Sequence, residues 1–186
     1  MTLSFTQTIN GKPNYFIEKF WSGILHRQFE EGEDYEAYIN AHIRKFGKEW
    51  EGVDWKGMSH ERVNPKLHTI REYRTTKTGE RAKKQWKAGD KIHPAINNRS
   101  KNYFQFAPTI ECKSVQEIKI IKNHYPFASL GDPEWTIHAV FVDNNEQPIE
   151  TVKELATNDG FDSVKDFFDY FSDGDRQLIH WTDLKY

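Results

Sequence analysis

The chain has 186 residues, 37% of them hydrophobic and 15% aromatic, which excludes global disorder and suits one folded domain. Its formal net charge of −2 excludes a chain-wide attraction to polyanions, so binding to nucleic acid would need a local basic patch. The single cysteine, Cys112, excludes an internal disulfide and predicts a buried structural thiol in a reducing cytoplasm. We expect neither a signal peptide nor a membrane span, because no apolar window reaches about 18 residues.

The N-terminal third predicts a strand, a helix and an insertion. Residues 3–9 alternate apolar and polar side chains and predict a strand. Apolar residues then recur at three- and four-residue steps from Phe16 to Ile24, which predicts a helix capped by Asn14. From about residue 27 to residue 63 the chain becomes rich in charged and aromatic residues, with a predicted helix at 35–46. We interpret this segment as an insertion in one domain that spans residues 1–186.

The insertion has two interpretations. Arg44, Lys45, Lys48 and Lys56 alternate with aromatic residues, a pattern that can contact phosphates and stack bases. Acidic residues in the same segment favour the other interpretation, a solvated cover that packs on the core through its aromatic side chains.

The remaining chain predicts a small β-rich domain with helices. Short runs rich in β-branched and aromatic residues predict five strands, in KIHPAIN, NYFQFAPTI, VQEIKII, WTIHAVFV and QLIHWTDL. Two helices are predicted, one around Val152 to Ala156 that ends at Gly160, and one from Val164 to Phe171. Short strands without regular strand–helix alternation predict an α+β fold, namely a small antiparallel β-barrel with peripheral helices.

The stretch NPKLHTIREY contains the densest group of chemically active side chains. If it forms a strand, Lys66 and His68 point to one face, and Thr69 and Arg71 point to the other. If the backbone bends after Pro65, Lys66 and Thr69 converge, and a neutral lysine could then activate the threonine hydroxyl. The planar guanidinium of Arg71 could bind a phosphate or a carboxylate through two parallel hydrogen bonds. The alternative is a polar edge strand in which Arg71 forms a structural ion pair.

Several motifs, in this order, resemble the ASCH family, a branch of the PUA-like β-barrels. FIEKFWSGIL resembles the first helix of the family, KLHTIRE its Lys-x-x-Thr-x-Arg motif and WKAGDKIH the start of the next strand. NDGFDSVKDFF resembles the acidic Gly-Phe stretch before the second helix, and LIHWTDL resembles the last strand. The resemblance implies a phage or bacterial type of PUA-like barrel, with an insertion after its first helix and a pocket for RNA or modified bases.

The resemblance also implies candidate catalytic residues. Some small ASCH proteins are amidohydrolases of acetylated cytidine nucleosides that use a Lys, a Thr and a Glu. Lys66 and Thr69 match the first two, and Asp159 stands where the family has Glu. Asp is one methylene shorter, and Pro65 replaces the Gly beside the lysine, so we expect loose geometry and weak hydrolysis. The leading function is therefore binding of RNA, single-stranded nucleic acid or a modified nucleoside. The alternatives are an amidohydrolase and a protein-interaction module.

Two further groups are candidate ligand contacts, together with His68 and Arg71. A basic segment beside the motif could contact successive phosphates of a nucleic acid. The alternative interpretation is a solvated flexible loop. The cations of this segment are Arg74, Lys77, Arg81, Lys83, Lys84 and Lys87. Asn97, Asn98 and Arg99 at a strand end could read a base edge. The histidines have no metal-ligand spacing and no phosphate-binding loop is present, so we predict neither a metal nor a cofactor.

Overall fold

The computed structural model describes residues 1–28, 33–50, 64–124 and 136–186, which form four helices and eleven strands. The helices are α1 (Phe16–Gln28), α2 (Glu33–Phe46), α3 (Ile149–Asn158) and α4 (Val164–Tyr170). The strands are β1 (Thr2–Ser4), β2 (Thr8–Ile9), β3 (Lys12–Pro13), β4 (His68–Glu72), β5 (Lys91–Ile96), β6 (Phe104–Gln105), β7 (Ile110–Glu111), β8 (Ser114–His124), β9 (Thr136–Val142), β10 (Asn145–Glu146) and β11 (Gly174–His180).

The largest sheet is antiparallel, with the order β10-β9-β8-β11-β4. The last strand, β11, lies between β8 and β4, so that Leu178 is opposite both Ile70 and Gln116. The residue just before β4 contacts the end of α3, because Leu67 N–H donates to the Asn158 carbonyl over 2.8 Å. The sheet therefore brings the KLHTIR stretch against the C-terminus of α3.

A second sheet has the order β1-β5-β6, and β7 also pairs with β5. β1 runs parallel to β5, so the predicted all-antiparallel pairing is wrong for this pair. None of the sheets formed by the described residues closes into a barrel, and the predicted barrel is not confirmed. The coarser prediction, a mixed α+β fold, is confirmed.

The helix boundaries follow the predicted signals. The Asn14 side chain accepts a hydrogen bond from the backbone of Phe16, and Ser163 accepts one from Asp166. Gly160 follows Asp159, the C-cap residue of α3, with a φ of +91°, a left-handed conformation that suits glycine just after a helix end. The predicted first strand, in contrast, is divided into β1 and β2.

The core is an aromatic cluster between α1 and the two larger sheets. The Phe20 ring lies 5.4 Å from that of Phe106 and 5.0 Å from that of Trp181, and the Trp21 indole donates to the Phe106 carbonyl. Cys112 is buried, as predicted, and burial raises the pKa of its thiol to about 11. None of the four helices has the combined length and apolar character that crossing a membrane requires.

The described part of the insertion packs on this core. The rings of Tyr35 and Tyr38 on α2 lie 5.2 and 5.8 Å from that of Trp21, and Trp50 is buried. The aromatic side chains of α2 and Trp50 therefore pack on the core, as the cover interpretation expects. The remaining candidate contacts of this segment, Trp55 and Lys56, lie outside the described residues.

Candidate functional site

The most unusual feature of the molecule is a buried ion pair between Lys66 and Asp159, whose exposed fractions are 1% and 3%. The Lys66 ammonium lies 2.5 Å from a carboxylate oxygen of Asp159 and also donates to the Asp159 backbone carbonyl. It lies 4.6 Å from the centre of the Phe16 ring, within the range of a cation–π contact. The shorter Asp159 side chain thus reaches Lys66 in spite of the missing methylene.

Three distant segments of the chain build this site. The Lys66 N–H donates to the Lys19 carbonyl of α1 over 2.8 Å, just before β4 begins. Gly23, one turn further along α1, approaches so closely that a Cβ atom there would overlap the Lys66 carbonyl oxygen. Gly23 and Lys66 thus meet in space although 43 residues separate them in sequence.

A second buried ammonium group supports the same turn. Lys19 donates to the Gly160 carbonyl over 2.8 Å and to the Asp162 carboxylate over 2.7 Å. Lys19 and Lys66 therefore bind consecutive carbonyls at the C-terminus of α3, where the helix dipole favours positive charge. The position of Asp159 is fixed by both contacts.

Burial sets the electrostatics of the pair. It lowers the pKa of Lys66 to about 8, although the charge and hydrogen bond of Asp159 act in the opposite direction. It also raises the pKa of Asp159 above its usual value, against the attraction of Lys66 and Arg71 and a hydrogen bond from the Ile70 N–H. Removal from water thus favours the neutral forms of both groups.

Thr69 does not join Lys66 as the catalytic interpretation requires. Its side chain is buried in β4, opposite Ile179 of β11. The Lys66 ammonium donates to Asp159, and no hydrogen bond joins it to the Thr69 hydroxyl. The bend that would bring Lys66 and Thr69 into hydrogen-bond contact is therefore not observed.

Arg71 lies beside the ion pair and reaches β1. Its Nη2 donates to the Ser4 carbonyl over 2.6 Å, and the guanidinium lies 5.3 Å from the centre of the Phe5 ring. Its Nε atom is buried and has no hydrogen-bond partner in the described part of the chain. Arg71 and Tyr170 line a cavity of about 430 Å³.

His68 is buried and connects the site to the chain terminus. Its Nε2 lies 3.0 Å from the Tyr186 hydroxyl, which also accepts a hydrogen bond from the Asn158 amide over 2.9 Å. Its Nδ1 lies 3.9 Å from the Asp159 carboxylate. Burial, followed by the nearby His180 and Lys66, holds the pKa of His68 well below its usual value, so the ring is neutral.

Sequence reasoning missed the residues that surround this centre. Phe16 was predicted only as a core residue of α1, and no local pattern marks Lys19 or Tyr186 as partners of the motif. Asn158 directly precedes Asp159 in the sequence. This adjacency is the one sequence signal that could have indicated Asn158 as a residue of the site.

The basic segment after β4 forms a hairpin turn. Thr75 pairs with Arg81, and Ala82 N–H donates to the Arg74 carbonyl over 2.7 Å. The Arg74 guanidinium lies 5.6 Å from the Trp86 ring. Lys83 and Lys84 are exposed on this hairpin, and neither has a direct contact with the Lys66–Asp159 pair.

Asn97, Asn98 and Arg99 lie apart from the ion pair, in the exposed turn after β5. Among the described residues, no group of three or more His, Cys, Asp or Glu side chains could hold a metal ion. The structure thus brings together Lys66, His68, Arg71 and Asp159, and it does not bring Arg74, Lys83, Lys84 or the 97–99 turn to them.

The chain was compared with models of protein families, with curated proteins and with solved structures, and none of the three comparisons finds a match.

Proposed function

We propose that the chain binds nucleic acid or a modified nucleoside beside the Lys66–Asp159 centre, in the cavity that Arg71 lines, as an ASCH-type protein with a PUA-like barrel. The observation that carries the proposal is the convergence of four residues of the predicted site, Lys66, His68, Arg71 and Asp159, from two parts of the chain 93 residues apart. Buried charged clusters with shifted pKa values are typical of functional sites. The buried Cys112 thiol supports a cytoplasmic location.

Binding, not hydrolysis, is the function that the geometry supports best. The hydrogen bonds of Lys66 go to Asp159, so the lysine does not contact the hydroxyl that it would activate. Arg71, in contrast, lines a cavity of about 430 Å³. That volume lies within the range of about 300–1,000 Å³ found for small-molecule sites.

Calorimetric titration with acetylcytidine and cytidine tests this proposal. The wild type should bind at least one of them, and Arg71→Gln should weaken binding about tenfold or more, because a charged hydrogen-bond donor is lost. Lys113→Gln removes an exposed positive charge outside this cavity and should leave the affinity unchanged. Absence of nucleoside binding by the folded wild type would contradict the proposal.

A second candidate function is hydrolysis of acetylated cytidine nucleosides by Lys66, Thr69 and Asp159. Two observations favour it: Asp159 contacts Lys66 directly, and burial lowers the pKa of Lys66 to about 8, toward that of a useful base. The reaction needs Lys66 to exchange an Asp159 hydrogen bond for one with Thr69. We expect slow turnover that is lost in Thr69→Ala and kept in Thr69→Ser, which retains the hydroxyl. Equal turnover in wild type and Thr69→Ala would exclude Thr69 as the nucleophile.

A further inference from the structure

A separate cavity, called here the basic cleft, has a volume of about 550 Å³. Three segments that are distant in sequence form its walls: the loop after β1, the end of α2 and the turn after β5. Its lining residues are Ser4, Phe5, Thr6, Gln7, Thr8, His42, Phe46, Lys48, Ile96, Asn97 and Asn98. The insertion and the 97–99 turn, considered separately in the sequence, therefore share one surface.

Side-chain contacts fix the walls of the basic cleft. Lys45 donates to the Tyr103 carbonyl over 2.6 Å, which ties α2 to the turn after β5. The His42 and Phe46 rings lie 5.2 and 5.8 Å from that of Phe104. The buried His42 ring also contacts the Lys48 carbonyl over 2.9 Å. The walls are thus in place before a ligand arrives, which reduces the entropic cost of binding.

The rim of the basic cleft is strongly positive, although the whole chain has a net charge of −2. Segments 42–50 and 96–104 contain five basic residues and one acidic residue, Glu49. The five basic residues, all exposed, are Arg44, Lys45, Lys48, Arg99 and Lys101. Lys48 lines the cleft, and the other four lie within three residues of a lining residue in sequence. Such a local excess of positive charge attracts a polyanion and makes its binding depend on salt.

The lining of the basic cleft suits a base as well as a phosphate. Gln7, Asn97 and Asn98 contribute amide groups, each of which offers both a donor and an acceptor, as the edges of bases do. The half-buried ring of Phe46 gives an apolar surface on which a base can stack. Asn97 has a left-handed backbone, with φ of +53°, which orients the turn at the cleft wall.

We propose that the basic cleft binds single-stranded nucleic acid, with phosphates at the cationic rim and a base against Phe46 and the amides. Ser4 and Phe5 line the cleft and also contact Arg71, so the floor of the cleft adjoins the Lys66–Asp159 centre. The inference rests on the proposed function for the class of ligand, but it assigns that ligand to a second surface.

Fluorescence anisotropy with a labelled oligouridine of about 12 nucleotides tests the inference, since known single-strand sites span about 4–16 nucleotides. Lys48→Gln/Arg99→Gln should weaken binding about tenfold or more. The slope of the logarithm of the association constant against the logarithm of the salt concentration should also become smaller in magnitude by about 1.4, because two phosphate contacts are lost. The matched control, Lys113→Gln/Lys153→Gln, removes two exposed positive charges outside the basic cleft and should bind like the wild type.

Three results would overturn the inference: no binding by the wild type at low salt, unchanged binding by the cleft variant, or equal loss in both variants. The nucleoside titration separates this inference from the proposed function. If acetylcytidine binds but the cleft variant retains full RNA affinity, the cleft assignment fails alone. If RNA binding depends on the cleft but no nucleoside binds, the proposal for the Lys66–Asp159 centre fails alone.

Discussion

Lys66 and Asp159 form a hydrogen-bonded ion pair over 2.5 Å at sites that are 1% and 3% exposed. A pair this deeply buried is costly to dehydrate and is weak evidence for stability in itself. Loss of only one partner, however, leaves the other charge buried without compensation.

The first prediction concerns this asymmetry. Lys66→Met and Asp159→Leu should each lower the free energy of unfolding by about 3–5 kcal/mol, and the double variant should lose clearly less than the sum. Urea denaturation of the four proteins measures the difference.

The matched control for this cycle is the pair Lys165–Asp169, which has the same 2.5 Å distance but is exposed. Its two single variants should show no measurable loss of stability. Additive losses at Lys66 and Asp159 would contradict the buried coupling.

The second prediction concerns Glu18, a buried residue of α1 whose Oε1 has no hydrogen-bond partner in the part of the chain that the structure describes. Burial raises the pKa of its carboxyl from 4.5 to about 7. Between these pH values the folded chain keeps a proton that the unfolded chain releases, so stability falls as pH rises.

Glu18→Gln replaces the titrating carboxyl with a neutral amide, so this contribution to the pH dependence of stability disappears. Relative to the wild type, the variant should gain up to about 3 kcal/mol of unfolding free energy between pH 4.5 and pH 7. Urea unfolding at several pH values measures this gain. Parallel stability curves for the two proteins would show that Glu18 titrates normally.

The third prediction concerns the close approach of Gly23 to Lys66. Alanine normally stabilises a helix interior by about 1 kcal/mol relative to glycine. Gly23→Ala should instead lower the stability by about 1–3 kcal/mol, because the added methyl overlaps the Lys66 carbonyl and forces α1 away from it. Thermal unfolding gives the sign directly.

Ala37→Gly on the exposed face of α2 is the control for helix propensity alone. It should lower the stability by about 1 kcal/mol. Stabilisation by Gly23→Ala would mean that α1 and the segment before β4 adjust freely.

The fourth prediction concerns Trp50, which is 4% exposed at the end of the described part of the insertion and packs 5.7 Å from the Tyr35 ring. Trp50→Ala should destabilise the chain by about 3–5 kcal/mol, as expected for a core aromatic residue. The exposed Ile43→Ala on α2 should change stability by less than about 0.5 kcal/mol. If Trp50→Ala is equally harmless, the insertion is an independent addition and not part of the core.

Local periodicity predicted much of the fold. The apolar spacing from Phe16 to Ile24 predicted α1, and the alternation in WTIHAVFV predicted a strand that the structure describes as β9. These patterns are visible in sequence because each element buries one face or stripe. The two-residue strands and the parallel pairing of β1 with β5 depend on long-range contacts, which local patterns do not contain.

The candidate site was predictable only in part. The resemblance to a known motif selected Lys66 and Asp159, which form a hydrogen-bonded pair in the structure. It also suggested a contact between Lys66 and Thr69 that is not observed. Partners such as Phe16 and Tyr186 carry no motif, since an aromatic ring in a core and one beside an ammonium look alike in sequence.

The distance in sequence between Lys66 and Asp159 has a consequence for synthesis of the chain. Residue 66 leaves the ribosome well before residue 159, at rates of about 5–20 residues per second, so for several seconds its ammonium group has no carboxylate partner. Burying it in that interval would leave an isolated charge away from water, at a cost of several kcal/mol. Burial of Lys66 is therefore unfavourable until α3, α4 and β11 have been synthesised, which favours late folding of the segment around it.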